Sequence, residues 1–183
     1  MKTAPTLHTE RLILRSFTLE DAADVQRLID DPDMASTTDE IEHPYEEGMA
    51  EEWVQWCHEC FEDGGRTNFA VTLRTDGTLI GKISLNFRIH LPYKDAELGY
   101  WIGKPYWNCG YCTEAAKAVL AYGFRKHDIE SIYANYFKRN PASGRVMQKI
   151  GMHYVEYIPK DPKRHYFEDT IRYEILKNEF TEK

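Results

Sequence analysis

The stretch Tyr106-Trp107-Asn108-Cys109-Gly110-Tyr111-Cys112-Thr113-Glu114-Ala115 follows a mostly apolar segment, Ala96-Glu97-Leu98-Gly99-Tyr100-Trp101-Ile102, and opens a helical pattern. The upstream segment reads as a strand. Thr113 to Lys126 reads as a helix, because Ala116, Val119, Leu120, Gly123 and Phe124 fall on one face at helical spacing. A strand–turn–helix junction points backbone N–H groups, and the positive end of the helix dipole, at whatever occupies the turn. Gly110 removes the Cβ that would keep the backbone away from a phosphate. A plain strand-to-helix connection also uses glycine to turn, so this segment alone leaves both readings open.

Working outward, a strand at Ser131 to Phe137 leads into Asn140-Pro141-Ala142-Ser143-Gly144-Arg145-Val146-Met147-Gln148-Lys149-Ile150-Gly151-Met152. Asn140 suits an N-cap, Pro141 the first helical position, and Gly151 the residue that stops a helix. Upstream, Asn68 to Arg74, the Asp76-Gly77 turn and Leu79 to Arg88 form a hairpin pattern. A loop holding Pro92 separates that hairpin from the strand at Ala96. Leu12 to Arg15 is a short strand, and Thr18-Leu19-Glu20-Asp21 is a capping box that opens a helix with apolar Ala22, Val25, Leu28 and Ile29. Asp30 to Pro44 reads as irregular, followed by a helix from about Glu46 to Glu62 and late strands at Tyr154 to Ile158 and Phe167 to Leu176. This order implies an α/β fold: a sheet of mixed direction with helices on both faces. No repeat or linker interrupts residues 1–183, so one domain is expected.

Bulk properties narrow the function. With 23 basic and 30 acidic residues the formal charge is −7, which disfavours nucleic acid and anionic membranes as partners. No apolar run approaches the roughly 20 residues that cross a bilayer, and Met1 to Glu10 lacks a signal-peptide core. A cytoplasmic protein with reduced cysteines is expected. Cys57/Cys60 and Cys109/Cys112 each have C-x-x-C spacing, which superficially resembles a zinc site. The pairs are about 48 residues apart, far beyond the usual zinc-ribbon gap, and the first lies in an amphipathic helical pattern. No metal is expected.

Four blocks, taken in order, resemble one family. Leu7-His8-Thr9-Glu10-Arg11-Leu12-Ile13-Leu14-Arg15, Glu97 to Ile102, Tyr106 to Ala115 and Asn140 to Met152 are similar to the GNAT superfamily of N-acetyltransferases, nearest to its ribosomal-protein N-terminal branch. The resemblance implies a GNAT-like sheet splayed at its centre, with acetyl-CoA in the cleft as cosubstrate. It places the pyrophosphate loop on Trp107, Asn108, Cys109, Gly110, Tyr111 and Cys112, with Thr113 following. It also places the pantetheine arm against Gly99, Tyr100, Trp101 and Ile102, with Asn140 bonded to the cofactor and Ser143 near its sulfur. The branch usually has glycine, a basic residue and alanine where Asn108, Cys109 and Cys112 stand, so the loop has lost a glycine and a cation.

Acetyl transfer needs a neutral amine, donors for a developing oxyanion, and an acid for the departing thiolate. Glu97 is the candidate base, with a solvated strand-edge carboxylate as the alternative. Ser143 is the candidate thiolate donor, although a first-turn serine can simply bond local backbone. Tyr100 and Tyr136 read as core or pocket-wall aromatics, with a donor role as the alternative, while His127 and His153 read as structural. The acidic run from Asp39 to Glu47, with Glu51 and Glu52, either lines the acceptor entrance or forms a solvated face. The helix dipole is expected to lower the thiol pKa of Cys109 and Cys112. The expected acceptor is a primary amine, of a protein N-terminus or of a small molecule such as a polyamine, amino acid or aminoglycoside; a non-catalytic CoA-binding module on the same fold is the alternative. Oligomeric state is not legible.

Overall fold

A computed structural model describes residues 3–37, 44–87, 94–161, 163 and 168–181. The chain forms strands β1 (Leu7–His8) and β2 (Leu12–Arg15), then helices α1 (Ala22–Ile29), α2 (Pro32–Ala35) and α3 (Met49–Glu62). Strands β3 (Arg66–Leu73), β4 (Leu79–Phe87) and β5 (Asp95–Ile102) follow, then helix α4 (Tyr111–Lys126) and strand β6 (Ser131–Phe137). Helix α5 (Pro141–Lys149) and strands β7 (His153–Ile158) and β8 (Thr170–Leu176) complete it. The strands make one eight-stranded sheet in the order β1-β2-β3-β4-β5-β6-β8-β7. Neighbours are antiparallel except β5 and β6, which run parallel.

Alternation along the strands sends side chains to two cores. One face of the sheet offers Phe69, Val71, Ile83, Leu85 and Leu98, which pack with Ala116, Val119 and Leu120 of α4 and Met147 of α5. Ala70, Leu79 and Trp101 join a second cluster with Val25, Leu28 and Ile29 of α1 and Val54 of α3. Helices therefore cover both faces. Each apolar residue expected on the α1 face, Ala22, Val25, Leu28 and Ile29, is buried.

The expected capping box is present, but it opens a 3-10 turn, Leu19–Asp21, before α1 begins. The Thr18 N–H donates to Asp21 Oδ2 at 2.8 Å, and Arg15 grips the same carboxylate through Nη1 and Nη2 at 2.7 and 2.8 Å. The span expected to be irregular contains α2, whose start follows the capping rules: Asp31 Oδ1 accepts from the Asp33 N–H at 2.8 Å, and Pro32 stands at the first helical position. Among the described residues no helix is long and apolar enough to cross a membrane.

Candidate active site

Strand β5 pairs with β4 from Ala96 to Ile102, but with β6 only through Asp95–Ser131, Ala96–Ile132 and Glu97–Tyr133. Beyond Glu97 the two parallel strands part. The gap opens into a cavity of about 1010 Å³. The catalytic and cofactor-binding candidates line it: Glu97, Gly99, Tyr100, Trp101, Ile102, the loop from Trp107 to Thr113, Asn140 and Ser143. Trp101 is the most compromised of these, because its side chain is largely packed in the second core.

On one side the wall is the loop before α4. A 3-10 turn, Lys104–Tyr106, leads to Trp107, whose indole N–H donates to the Ile102 carbonyl at 2.5 Å. Asn108 and Gly110 both adopt left-handed backbone, with φ of 60° and 80°. Gly110 is the N-cap of α4 and has no side chain with which to cap it. The first intrahelical bond runs from the Glu114 N–H to the Gly110 carbonyl at 3.1 Å, so the N–H groups of residues 111–113 have no acceptor within the helix. Such a hollow suits an anion, and the pyrophosphate of acetyl-CoA fits its chemistry. At α5, Asn140 departs from the expected cap: its side chain makes no capping bond, and the residue lines the cavity. The helix ends as expected, with Gly151 at φ 92°, its N–H on the Gln148 carbonyl and the Met152 N–H on the Met147 carbonyl.

The thiol expectation needs correcting. Burial pushes the Cys112 thiol up to about 12, against the helix dipole, so it stays protonated at neutral pH. Cys109 is exposed, and its thiol points to the Trp107 carbonyl at 3.4 Å.

The other wall carries the polar chemistry. The Tyr100 hydroxyl lies 2.9 Å from Ser143 Oγ and donates to the Ser143 carbonyl at 3.1 Å. Burial raises the Tyr100 pKa far above its ordinary value, so it acts only as a protonated donor. Tyr136 lies over Gly144, where an added Cβ would fall 2.6 Å from its ring. On Glu97, Oε1 accepts from Asn135 Nδ2 at 2.9 Å, and Asn135 Oδ1 accepts from Arg172 Nε at 3.0 Å. Arg172 in turn donates to Glu156 at 3.0 Å. This chain crosses β5, β6, β8 and β7. Asn135 and Arg172 were not singled out from the sequence. The available signal was the period of β6, which puts Asn135 on the same face as Tyr133, the register partner of Glu97.

Further wall residues are Arg66, Lys82, Ser84 and Asn86 from β3 and β4. Among the described residues the acidic-entrance expectation is not met. Glu46, Glu47, Glu51 and Glu52 are exposed and form no part of the cavity wall, while residues 39–43 lie outside the described ones. His127 stacks on Phe87 at 4.1 Å and His153 faces Glu179 at 3.4 Å, both away from the cavity. Among the described residues no cluster of histidine, cysteine or acidic side chains could hold a metal ion.

Comparison with known proteins accords with this geometry. The acetyltransferase (GNAT) domain family matches residues 11–153. An uncharacterized N-acetyltransferase of Bacillus subtilis, YnaD, is 31% identical over 94% of this chain and 97% of its own. A GNAT-family acetyltransferase from Bacillus anthracis superposes with a TM-score of 0.83 at 29% identity, over 96% of this chain and 100% of that one. RimL, a ribosomal alpha-N-protein acetyltransferase solved in complex with coenzyme A, shares the fold (TM-score 0.81, 16% identity, 96% of this chain and 98% of that one). The chain belongs to the GNAT acetyltransferase family, and it is an N-acetyltransferase that uses acetyl-CoA.

Proposed function

We propose that this enzyme acetylates the primary amine of a protein N-terminus in the cytoplasm, with Glu97 as base and Ser143 as donor to the departing thiolate. The observation that carries this reading is the Glu97–Asn135–Arg172 chain at the point where β5 and β6 separate. Asn135 offers its N–H to Glu97 because its carbonyl is held by Arg172, so the carboxylate is oriented with one oxygen left for the acceptor. Gly99 to Ile102 offer backbone to the pantetheine arm, the loop from Trp107 to Thr113 seats the pyrophosphate, and Asn140 bonds the cofactor. Acetyl-CoA supplies the acetyl group: an amide N–C bond forms as the C–S bond breaks. One proton leaves the amine for Glu97 and passes on to solvent, and solvent returns one to the departing thiolate, to which Ser143 Oγ, resting against the Tyr100 hydroxyl, donates a hydrogen bond.

A terminal amine, with pKa near 8, is far more often neutral at pH 7 than a lysine amine near 10.4, which lightens the work asked of Glu97. Arg66, Lys82 and Arg172 in the wall suit an acceptor with a single amine better than a polyamine or an aminoglycoside. The shared fold with RimL points the same way.

The test is a panel of N-terminal peptides, polyamines, amino acids and aminoglycosides, assayed with wild-type enzyme and Glu97→Gln. With peptide acceptors, the variant should lose about 10²–10⁴-fold in kcat at neutral pH. The loss should shrink at high pH, where the amine is already neutral, and acetyl-CoA affinity should hardly change. Wild-type kcat across the pH range removes Glu97 from the mechanism. Turnover of polyamines or aminoglycosides but not peptides removes the protein acceptor.

A further inference from the structure

Arg11 lies on the short connection between β1 and β2, yet three of its donors reach the segment that opens α4. Its backbone N–H and its Nε donate to the two oxygens of Glu114, at 2.8 and 2.7 Å. Thr9 Oγ1 adds a third bond to the same carboxylate at 2.6 Å. Arg11 Nη1 then donates to the Cys109 carbonyl at 3.0 Å, and the guanidinium sits 4.5 Å from the centre of the Tyr111 ring. Arg11 is not part of the cavity wall, whereas Cys109, Gly110 and Tyr111 are. The guanidinium therefore holds the loop from behind.

This placement has a direct consequence for the backbone. In a trans peptide the carbonyl and the following N–H point in opposite directions. With the Cys109 carbonyl turned outward to Arg11, the Gly110 N–H turns inward, to the hollow where the N–H groups at the start of α4 also lack acceptors. Asn108 and Gly110, on either side of Cys109, both sit in left-handed backbone, which glycine adopts as readily as right-handed, so the contact to Arg11 helps decide which way this peptide points. A fork with fixed geometry can grip a carboxylate and a carbonyl at once, while an ammonium is a single point charge.

We infer that Arg11, anchored by Glu114 and Thr9, is a positioning residue that aims the Cys109–Gly110 peptide N–H at the pyrophosphate of acetyl-CoA. The inference rests on the reading of that loop as the pyrophosphate seat. It also accounts for a loop that lacks a cation of its own: the cation comes from the N-terminal hairpin and acts through the backbone.

The test compares acetyl-CoA with S-acetylpantetheine, which keeps the thioester and arm but has no pyrophosphate, in wild-type enzyme, Arg11→Ala and Arg11→Lys. Arg11→Ala should raise the acetyl-CoA KM about tenfold, the worth of one well-placed hydrogen bond, with little change in kcat. Its kcat/KM for S-acetylpantetheine should stay within about twofold of wild type, a result that general loosening of the fold would not give. Arg11→Lys should fall between the two. Equal losses on both thioesters, no loss on either, or full rescue by lysine would each overturn the inference. If wild-type enzyme itself uses the two thioesters equally well, the pyrophosphate-seat reading fails. If wild type discriminates and Arg11→Ala discriminates equally, only the role of Arg11 fails. Thermal midpoints of all three proteins identify any variant that has not folded, and Arg11→Lys, which keeps the charge and most of the stem, then carries the comparison.

Discussion

Two glycines, Gly110 in the cavity wall and Gly144 beside it, are required for different reasons. Gly110 has φ of 80°, and an added Cβ would meet nothing nearer than Arg11 Nη2 at 3.5 Å, an ordinary contact. Its requirement is conformational: an L side chain in that region costs about 1–2 kcal/mol, more when branched at Cβ. Gly144 lies inside helix α5, where alanine is intrinsically favoured by about 1 kcal/mol. There the added Cβ would lie 2.6 Å from Tyr136 Cζ and 2.8 Å from its hydroxyl, so the ring must move. The two variants should separate accordingly. Gly110→Val is expected to weaken acetyl-CoA binding, and Tyr136→Ala should do nothing to restore it. Gly144→Ala is expected to lose roughly 1–2 kcal/mol of stability from overpacking, and Tyr136→Ala in the same chain should recover part of that loss. Thermal or urea unfolding of the four-member cycle at 136 and 144 checks this. Strict additivity would mean that Tyr136 and Gly144 do not press on each other.

At the level of single elements, the entry to α1 shows how local signals become stability. Burial alone would raise the Asp21 pKa, but hydrogen bonds from Arg15 and the Thr18 N–H outweigh it and hold the carboxyl below its ordinary value. A depressed carboxyl contributes stability that is fully present above the unfolded pKa of about 3.9 and is lost as pH falls through the folded value. Asp21→Asn should therefore cost roughly 2 kcal/mol near neutral pH, less than a fully buried pair because Arg15 still reaches solvent. The gap to wild type should narrow as pH drops below that of an ordinary aspartate. A gap independent of pH would show that the charge of Asp21 is irrelevant. This capping box was legible because all its signals lie within four neighbouring positions, and the face of α4 was legible because its apolar residues keep one period. Helix α2 escaped notice because four residues are too few for a period, although Asp31 and Pro32 announce its start. Asn135 and Arg172 escaped for another reason. Only strand register brings them together, with β6 meeting β5 on one side and β8 on the other, and register is a property of the assembled sheet. The same holds for Arg11, whose partners Cys109 and Glu114 lie about a hundred residues away along the chain.

Across the whole molecule, two cores on opposite faces hold the halves of the sheet in place while the sheet itself stays open at its centre. Strands β5 and β6 share three register pairs and then diverge, although β5 continues to Ile102 and β6 to Phe137. In a strand, backbone N–H groups point alternately to its two neighbours. Along β5 beyond Glu97, those turned to β4 are paired, and those turned the other way face the cavity. The open stretch thus behaves as an internal sheet edge, and the family's cosubstrate carries an extended arm with amide groups suited to occupy it. Saturating CoA should therefore do more than raise the overall unfolding free energy by about 2.7 kcal/mol at a hundredfold excess over Kd. It should slow amide hydrogen exchange at particular places: residues 98–102 of β5 and the loop and first turn at 108–113. Strands β1 and β7, at the two outer edges of the sheet, should exchange as before. Exchange measured by mass spectrometry on free and CoA-saturated protein distinguishes these regions. Protection spread evenly over the sheet would mean that CoA merely stabilises the fold globally, and protection confined to β7 would move the cofactor to the wrong edge. Protection at 108–113 without any at 98–102 would leave the pyrophosphate seat intact and remove the pantetheine arm from β5.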